Sequence, residues 1–178
     1  MRPHTKFLIS LLQGRRIKYA AEIGVFKGDN AEGLLESLDI ECLIGVDPYM
    51  RYPEFDKNLA RPKGVVAKAD LEQVRIDMLA RMEKFGSHFF LARSFSVPTA
   101  KKFPDGHFDF VFIDGNHYYN YVYADIKAWL PKVKVGGILA GHDYVDRPKI
   151  GVIPAVQELL PPLTEINLGA KVWYYEKE

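Results

Sequence analysis

The chain has almost nothing to build a disulfide from. Cys42 is the single cysteine among 178 residues, so no internal bridge can form and nothing indicates an oxidising compartment. It sits in the apolar run CLIGV and reads as a small core residue. Net charge is nearly absent as well: 24 Lys and Arg face 23 Asp and Glu, a balance of +1. A protein that grips a nucleic-acid backbone carries a basic excess or stripe, so nucleic acid is not an expected partner. A small acidic or phosphorylated substrate remains compatible with that balance. The apolar run FLISLL near the start is too brief for a membrane span and lacks a small-residue cleavage site. A soluble, cytoplasmic protein with no membrane partner is expected, with residues 1–18 forming a helix or lid ahead of the first strand. The GxGxxG of dinucleotide sites, internal repeats and low-complexity segments are all missing too.

What is present is alternation. About half of the residues are hydrophobic, enough for one domain, 1–178, with a substantial core. Strand-like runs are expected at 19–25, 42–46, 88–92, 108–113 and 137–140, with helices at 29–38, 71–85, 96–103, 119–130 and 152–160. Two last strands, 163–168 and 172–175, are split by Gly169-Ala170, too tight a joint for a helical crossover. The pattern predicts a three-layer α/β sandwich, Rossmann-like, with a mostly parallel sheet closed by an antiparallel hairpin. The 49–69 connection is long and rich in Pro, Lys and Arg, as expected of a mobile loop over an acceptor.

In an open parallel sheet, ligands bind beyond the carboxyl ends of the strands. The first strand ends in EIGVFKG, where Glu22 is embedded and Gly24 and Gly28 bracket the turn into a helix. Glycine there lets backbone approach a ligand, and the helix N-terminus favours an anion by roughly 0.3–1 kcal/mol. An ordinary strand–helix turn would need the same two glycines. The second strand ends in GVDPY, and Asp47 stands 23 positions after Gly24, about where a carboxylate takes the two hydroxyls of a ribose. A solvated turn aspartate is the plainer reading. The third ends in LARSFS, where Ser94 or Ser96 could cap a helix or touch an adenine.

The fourth strand ends in DFVFIDGNHYY and the fifth in GGILAGHDY. A chain that needed only a core would not follow Phe110 to Ile113 with Asp114, Asn116 and His117. Asp114, His142 and Asp143 stand at two strand ends that can be neighbours. Carboxylates in one cleft repel unless a cation lies between them. Mg²⁺ or Ca²⁺ would suit the oxygens, and His142 leaves Mn²⁺, Fe²⁺ or Zn²⁺ open. The alternative is a helix cap and local hydrogen bonds. Tyr118, Tyr119, Tyr121 and Tyr123 are expected to pack a helix or a homodimer interface, with Trp129 and Leu130 in the core; His4 and His88 carry no readable role.

EIGVFKG, GVDPY, DFVFIDGNHYYNYVYADIKAWLPKVKVGGILAGHDY and the closing hairpin together resemble class I S-adenosylmethionine-dependent methyltransferases. The branch most similar is the small-molecule O-methyltransferases that include the macrocin and mycinamicin sugar methyltransferases. The resemblance covers nearly the whole chain from Tyr19 onward. It implies a seven-stranded sheet with a reversed last strand, and S-adenosylmethionine as cofactor. It implies that Glu22 and Gly24 line the methionine end and that Asp47 binds the ribose, with Gly28 and Asp114 as further cofactor-binding residues. Arg93-Ser94 stand where relatives meet the adenine. Related sugar methyltransferases hold a divalent metal by carboxylates after the fourth and fifth strands, and Mg²⁺ or another divalent cation is expected here. Asp114 and Asp143 match those positions, and His142 replaces one acid of the common pair. His117 stands where some relatives carry a base.

The expected reaction is methylation of a small-molecule hydroxyl, with His117 as base and Asp114 beside it. The acceptor would be covered by the 49–69 connection, the first fourteen residues or a second subunit. Two rivals share parts of the pattern. A nicotinamide-dependent dehydrogenase would use the glycine turn and Asp47, and a nucleoside-binding module would need neither His117 nor the metal residues.

Overall fold

The computed structural model describes residues 1–52, 69–148 and 150–178. Most of the 49–69 connection, read from sequence as an acceptor loop, lies outside the described residues. Helix α1 (Pro3–Leu12) precedes strand β1 (Ile17–Ile23), followed by α2 (Asp29–Ser37) and β2 (Ile40–Val46). Next come α3 (Leu71–Met82), β3 (Phe89–Ala92), α4 (Ser96–Ala100) and β4 (Phe108–Ile113). The chain continues through α5 (Tyr119–Trp129), β5 (Val133–Gly141), α6 (Val152–Leu159), β6 (Glu165–Asn167) and β7 (Val172–Glu176).

One sheet holds all seven strands in the order β3-β2-β1-β4-β5-β7-β6. The first five are parallel, and β7 runs antiparallel to both β5 and β6. The expected mostly parallel sheet with a closing hairpin is therefore the observed one. Strand β4 shows how the layers arise. Side chains alternate across a strand, so Phe110 and Phe112 join the core under α1, α2 and α3. Val111 and Ile113 join the core under α4, α5 and α6. Each such side chain contributes roughly 1.5–3 kcal/mol by leaving water, and only a strand covered on both faces buries all four.

Some boundaries differ from the sequence expectation. Helix α3 stops at Met82 and passes into a short 3₁₀ segment whose Gly86 has a φ of 53°. Strand β5 begins at Val133 rather than 137. Its first half was hidden because Lys134 to Gly137 bulge outward: Phe108 pairs with Val133 but Phe110 with Ile138, and Val135 is 77% exposed. The bulge is tied to the other end of the chain by Gly136 N–H donating to Lys177 O and Lys177 N–H donating to Gly137 O. No helix among the described residues is long and apolar enough to cross a membrane.

Strand order reverses between β1 and β4, the place where such sheets open a crevice at their carboxyl ends. The backbone ladder runs on past the strands into the residues there. Gly24 N–H donates to Val46 O, Asp47 to Ala92 O, Asp114 to Ile23 O and His142 to Ile113 O, at 2.7–3.2 Å. Four residues from four strands are thereby fixed in one row.

Candidate active site

A cavity of about 410 Å³ lies over this row, within the size range of small-molecule sites. Glu22, Gly24, Asp47, Asp114, Asn116, His117, His142 and Asp143 all line it. Two of the residues expected there do not. Gly28, with φ 75°, is the N-terminal cap of α2 and faces Met78 of α3. Ser94 turns its amide back to Ala92 O, while Ser96, two residues on, reaches the cavity. Neither serine caps α4, whose cap position is Phe95.

At β1, glycine is obligatory. Gly24 has a φ of 92°, and a Cβ there would overlap the backbone carbonyl of Asp114. Beside it Glu22 is 2% exposed, and its Oε2 has no hydrogen-bond partner among the described residues. Burial, reinforced by the Asp114 charge, raises the Glu22 carboxyl well above the usual carboxylate range. Both side-chain polar atoms of Asn30 and the Nδ2 of Asn116 are also buried without partners. Buried polar atoms cost free energy unless something satisfies them. This wall therefore carries unused hydrogen-bonding capacity toward the cavity.

Asp47 holds the next part of the wall. Its Oδ2 accepts from Phe26 N–H at 2.9 Å and its Oδ1 from Tyr49 N–H at 2.7 Å, while the Tyr49 hydroxyl donates to Phe26 O at 2.7 Å. Burial pushes the Asp47 carboxyl up, against the pull of these donors. Phe26 and Tyr49 both have φ of 48°, and Asp143 has 53°. Three of the four non-glycine residues with positive φ among the described residues therefore line this cavity. Such backbone costs about 1–3 kcal/mol per residue and persists only where surroundings enforce it.

At the far end, imidazoles and carboxylates meet. His117 Nε2 is 3.1 Å and His142 Nδ1 3.2 Å from Asp114 Oδ1. Asp143 stands 3.6 Å from a nitrogen of each histidine. Burial alone would raise the Asp114 carboxyl, but the two histidines outweigh it and hold it at about 2. Burial would lower His117, and Asp114 and Asp143 together raise it instead. The atoms that converge as metal ligands belong to Asp114, His117 and His142. The sequence reading had Asp143 in that trio and left His117 as base.

His4 was missed. It lies 5% exposed on α1 with its ring edge-on to His142, centroids 4.5 Å apart. Burial lowers it to about 4, so it is neutral in the folded chain near pH 7. Its signal was helical spacing: His4, Leu8 and Leu12 share one face of α1, all buried. His88 has a structural contact instead, Nδ1 to Ile40 O at 3.2 Å. Among the tyrosines, Tyr121 meets Tyr52 of the cavity wall and Tyr119 pairs with Glu158, while Trp129 is fully buried.

Comparison with known proteins fits this geometry. Residues 21–144, well over half of the chain, match a family model described as a methyltransferase domain. An uncharacterized protein of Acanthamoeba polyphaga mimivirus is 29% identical over 140 residues, which cover 78% of this chain and 58% of that protein. The chain thus spans less than two thirds of that relative. Among solved structures, a methyltransferase from Geobacter sulfurreducens aligns over 100% of this chain and 80% of its own, at 13% identity and a TM-score of 0.67. The O-methyltransferase TomG from Streptomyces achromogenes, in complex with S-adenosylmethionine, aligns over 99% and 80% at 16% identity and a TM-score of 0.63. The N-methyltransferase NodS from Bradyrhizobium japonicum, in complex with S-adenosylhomocysteine, aligns over 98% and 85% at 16% identity and a TM-score of 0.61. At these identities the structures speak for the fold, and the family match speaks for descent: the chain belongs to the methyltransferase-domain family.

Proposed function

We propose that this protein transfers a methyl group from S-adenosylmethionine to a hydroxyl of a small, sugar-like acceptor. The observation that carries the reading is the single cavity in which a glycine turn, a ribose-type carboxylate and a proton-accepting cluster follow one another along four strand ends. The cofactor supplies an electrophilic methyl carbon on a positively charged sulfur. The residues fit it. Glu22 Oε2 is an orphaned acceptor for a cationic ammonium, and Gly24 opens the backbone for close approach. Asp47, held by two backbone donors, keeps lone pairs for ribose hydroxyls.

The chain's own work is alignment and proton removal. An acceptor oxygen must stand in line with the methyl carbon, and the cavity walls fix that approach. A hydroxyl is a poor nucleophile at neutral pH, so its proton must be taken as the carbon–oxygen bond forms and the carbon–sulfur bond breaks. His117, with Nε2 3.1 Å from Asp114 and Nδ1 3.6 Å from Asp143, is the imidazole placed in this cavity to accept it. A divalent cation held at the same cluster would lower the cost of that proton in another way. TomG is an O-methyltransferase and NodS an N-methyltransferase, so the fold admits either acceptor. The cluster supports oxygen, because a neutral amine is already a good nucleophile and has less need of a base than a neutral hydroxyl. Incubation with methyl-labelled S-adenosylmethionine and a panel of sugars, phenols and amines tests this. Label on sugar hydroxyls is expected; label confined to amines would overturn the oxygen assignment.

A further inference from the structure

We propose that Asp114, His117 and His142 bind a first-row transition-metal dication, and that this is not a magnesium site. The inference deepens the methyltransferase reading by naming the ion at the acceptor end of the same cavity, and it rests on that reading for the ion's use.

A metal bonded at about 2.0–2.2 Å to N and O donors sets neighbouring ligand atoms roughly 3.0–3.5 Å apart. Asp114 Oδ1 is already 3.1 Å from His117 Nε2 and 3.2 Å from His142 Nδ1. The three atoms lie within 4.8 Å of one another, so only the edge between the two imidazoles has room to close. The backbone holds them there: Asp114 N–H donates to Ile23 O, His142 N–H to Ile113 O, and His117 O accepts from Gly151 N–H at 2.8 Å.

Mg²⁺ and Ca²⁺ take oxygen ligands, whereas two imidazoles and one carboxylate suit zinc, iron, nickel or manganese. The sequence offered Mg²⁺ or Ca²⁺ for the carboxylates and left Mn²⁺, Fe²⁺ or Zn²⁺ open through His142, and a set with two imidazoles favours the second group. Asp143 Oδ2 lies 3.6 Å from His117 Nδ1, the ring nitrogen facing away from Asp114. A carboxylate behind a ligating imidazole holds the proton on that far nitrogen and aims the other lone pair at the metal. At 3.6 Å the contact is too long for a direct hydrogen bond, and it has room to tighten when the ring is drawn to an ion. Asp143 is held in this place with a φ of 53°. It is therefore a positioning residue, and with an ion bound the Nε2 lone pair of His117 serves as a ligand in place of the proton-accepting role it has in the metal-free chain.

The same two Asp–His distances would arise from charge-assisted hydrogen bonds with no metal. Cobalt(II) titration of the chelator-treated 178-residue chain separates the two. Visible ligand-field bands saturating at one equivalent are expected, displaced by Zn²⁺ and untouched by a hundredfold excess of Mg²⁺. His142→Ala should abolish the bands, and Asp143→Asn should weaken Co²⁺ by about 10–100-fold while keeping them. S-adenosylhomocysteine titration of the same samples keeps the two readings apart. If that nucleoside binds and Co²⁺ does not, or Mg²⁺ displaces Co²⁺ at comparable concentration, the metal inference is overturned and the methyltransferase reading stands. If Co²⁺ binds and the nucleoside does not, the metal site stands and the methyltransferase reading falls.

Discussion

Strand β4 has an aspartate and a histidine at each end, and the two ends do different things. At its start, Asp109 Oδ2 accepts from the backbone N–H groups of Lys18 and Tyr19, and Oδ1 from the Lys134 ammonium. Burial opposes ionisation of Asp109, but these donors prevail and lower its carboxyl. His107 stacks on Tyr19 and Phe103, and burial lowers it. Both oxygens of Asp109 are thus taken up by protein donors. Beyond the end of β4, Asp114 has two imidazoles and no lysine or arginine among its ion-pair partners within the described residues, and His117 looks into a cavity. The same residue types make a rivet at one end and a site at the other. What distinguishes them is whether their bonding capacity is used up.

Breaking the open end should cost function before stability. Gly24→Ala is expected to do most damage, since the added methyl meets the Asp114 backbone and a positive φ at once: at least about 2–4 kcal/mol of stability and loss of measurable nucleoside binding. Thermal melting and S-adenosylhomocysteine calorimetry would read it. His117→Ala should lower turnover by roughly 10²–10⁴-fold while leaving nucleoside affinity nearly intact; unchanged turnover would remove His117 from the chemistry. Asp109→Ala is the counterpart at the closed end. It strands two backbone donors and should cost about 2–3 kcal/mol, with cavity affinity unaffected in the chains that remain folded. A loss of turnover there without loss of stability would erase the contrast between the ends.

The fold was legible because β4, β2 and the closing hairpin announce themselves by apolar runs and tight joints, and those signals are local. Asp47 and Asp114 were legible for a similar reason, each standing one residue past such a run. His4 was not, because its meeting with His142 joins the first helix to the fifth strand and no local pattern records that. The first half of β5 was hidden by an outward bulge whose composition, KVGG, is that of a turn. Gly28 was ambiguous because a left-handed glycine serves a helix cap and a ligand turn equally well; the structure shows the cap, with Met78 where a Cβ would stand.

A smaller effect sharpens the comparison beneath the cavity floor. Asp125 of α5 is buried and hydrogen-bonded to Ser96, and burial raises its carboxyl from 3.8 to about 7. The folded chain then keeps a proton that the unfolded chain releases. This contribution is fully present below about pH 4 and fades as pH rises through 7. Asp125→Asn should add roughly 1–2 kcal/mol at pH 8 and almost nothing at pH 4, read as a difference in melting temperature.

The most direct test of the account is calorimetric titration of the full chain and its Asp47→Ala variant with S-adenosylhomocysteine, with NAD as the counter-ligand. One-to-one binding of S-adenosylhomocysteine, weakened about 10–100-fold in the variant, and no heat from NAD are predicted. Binding of NAD alone, or S-adenosylhomocysteine binding untouched by loss of the Asp47 carboxylate, would contradict it.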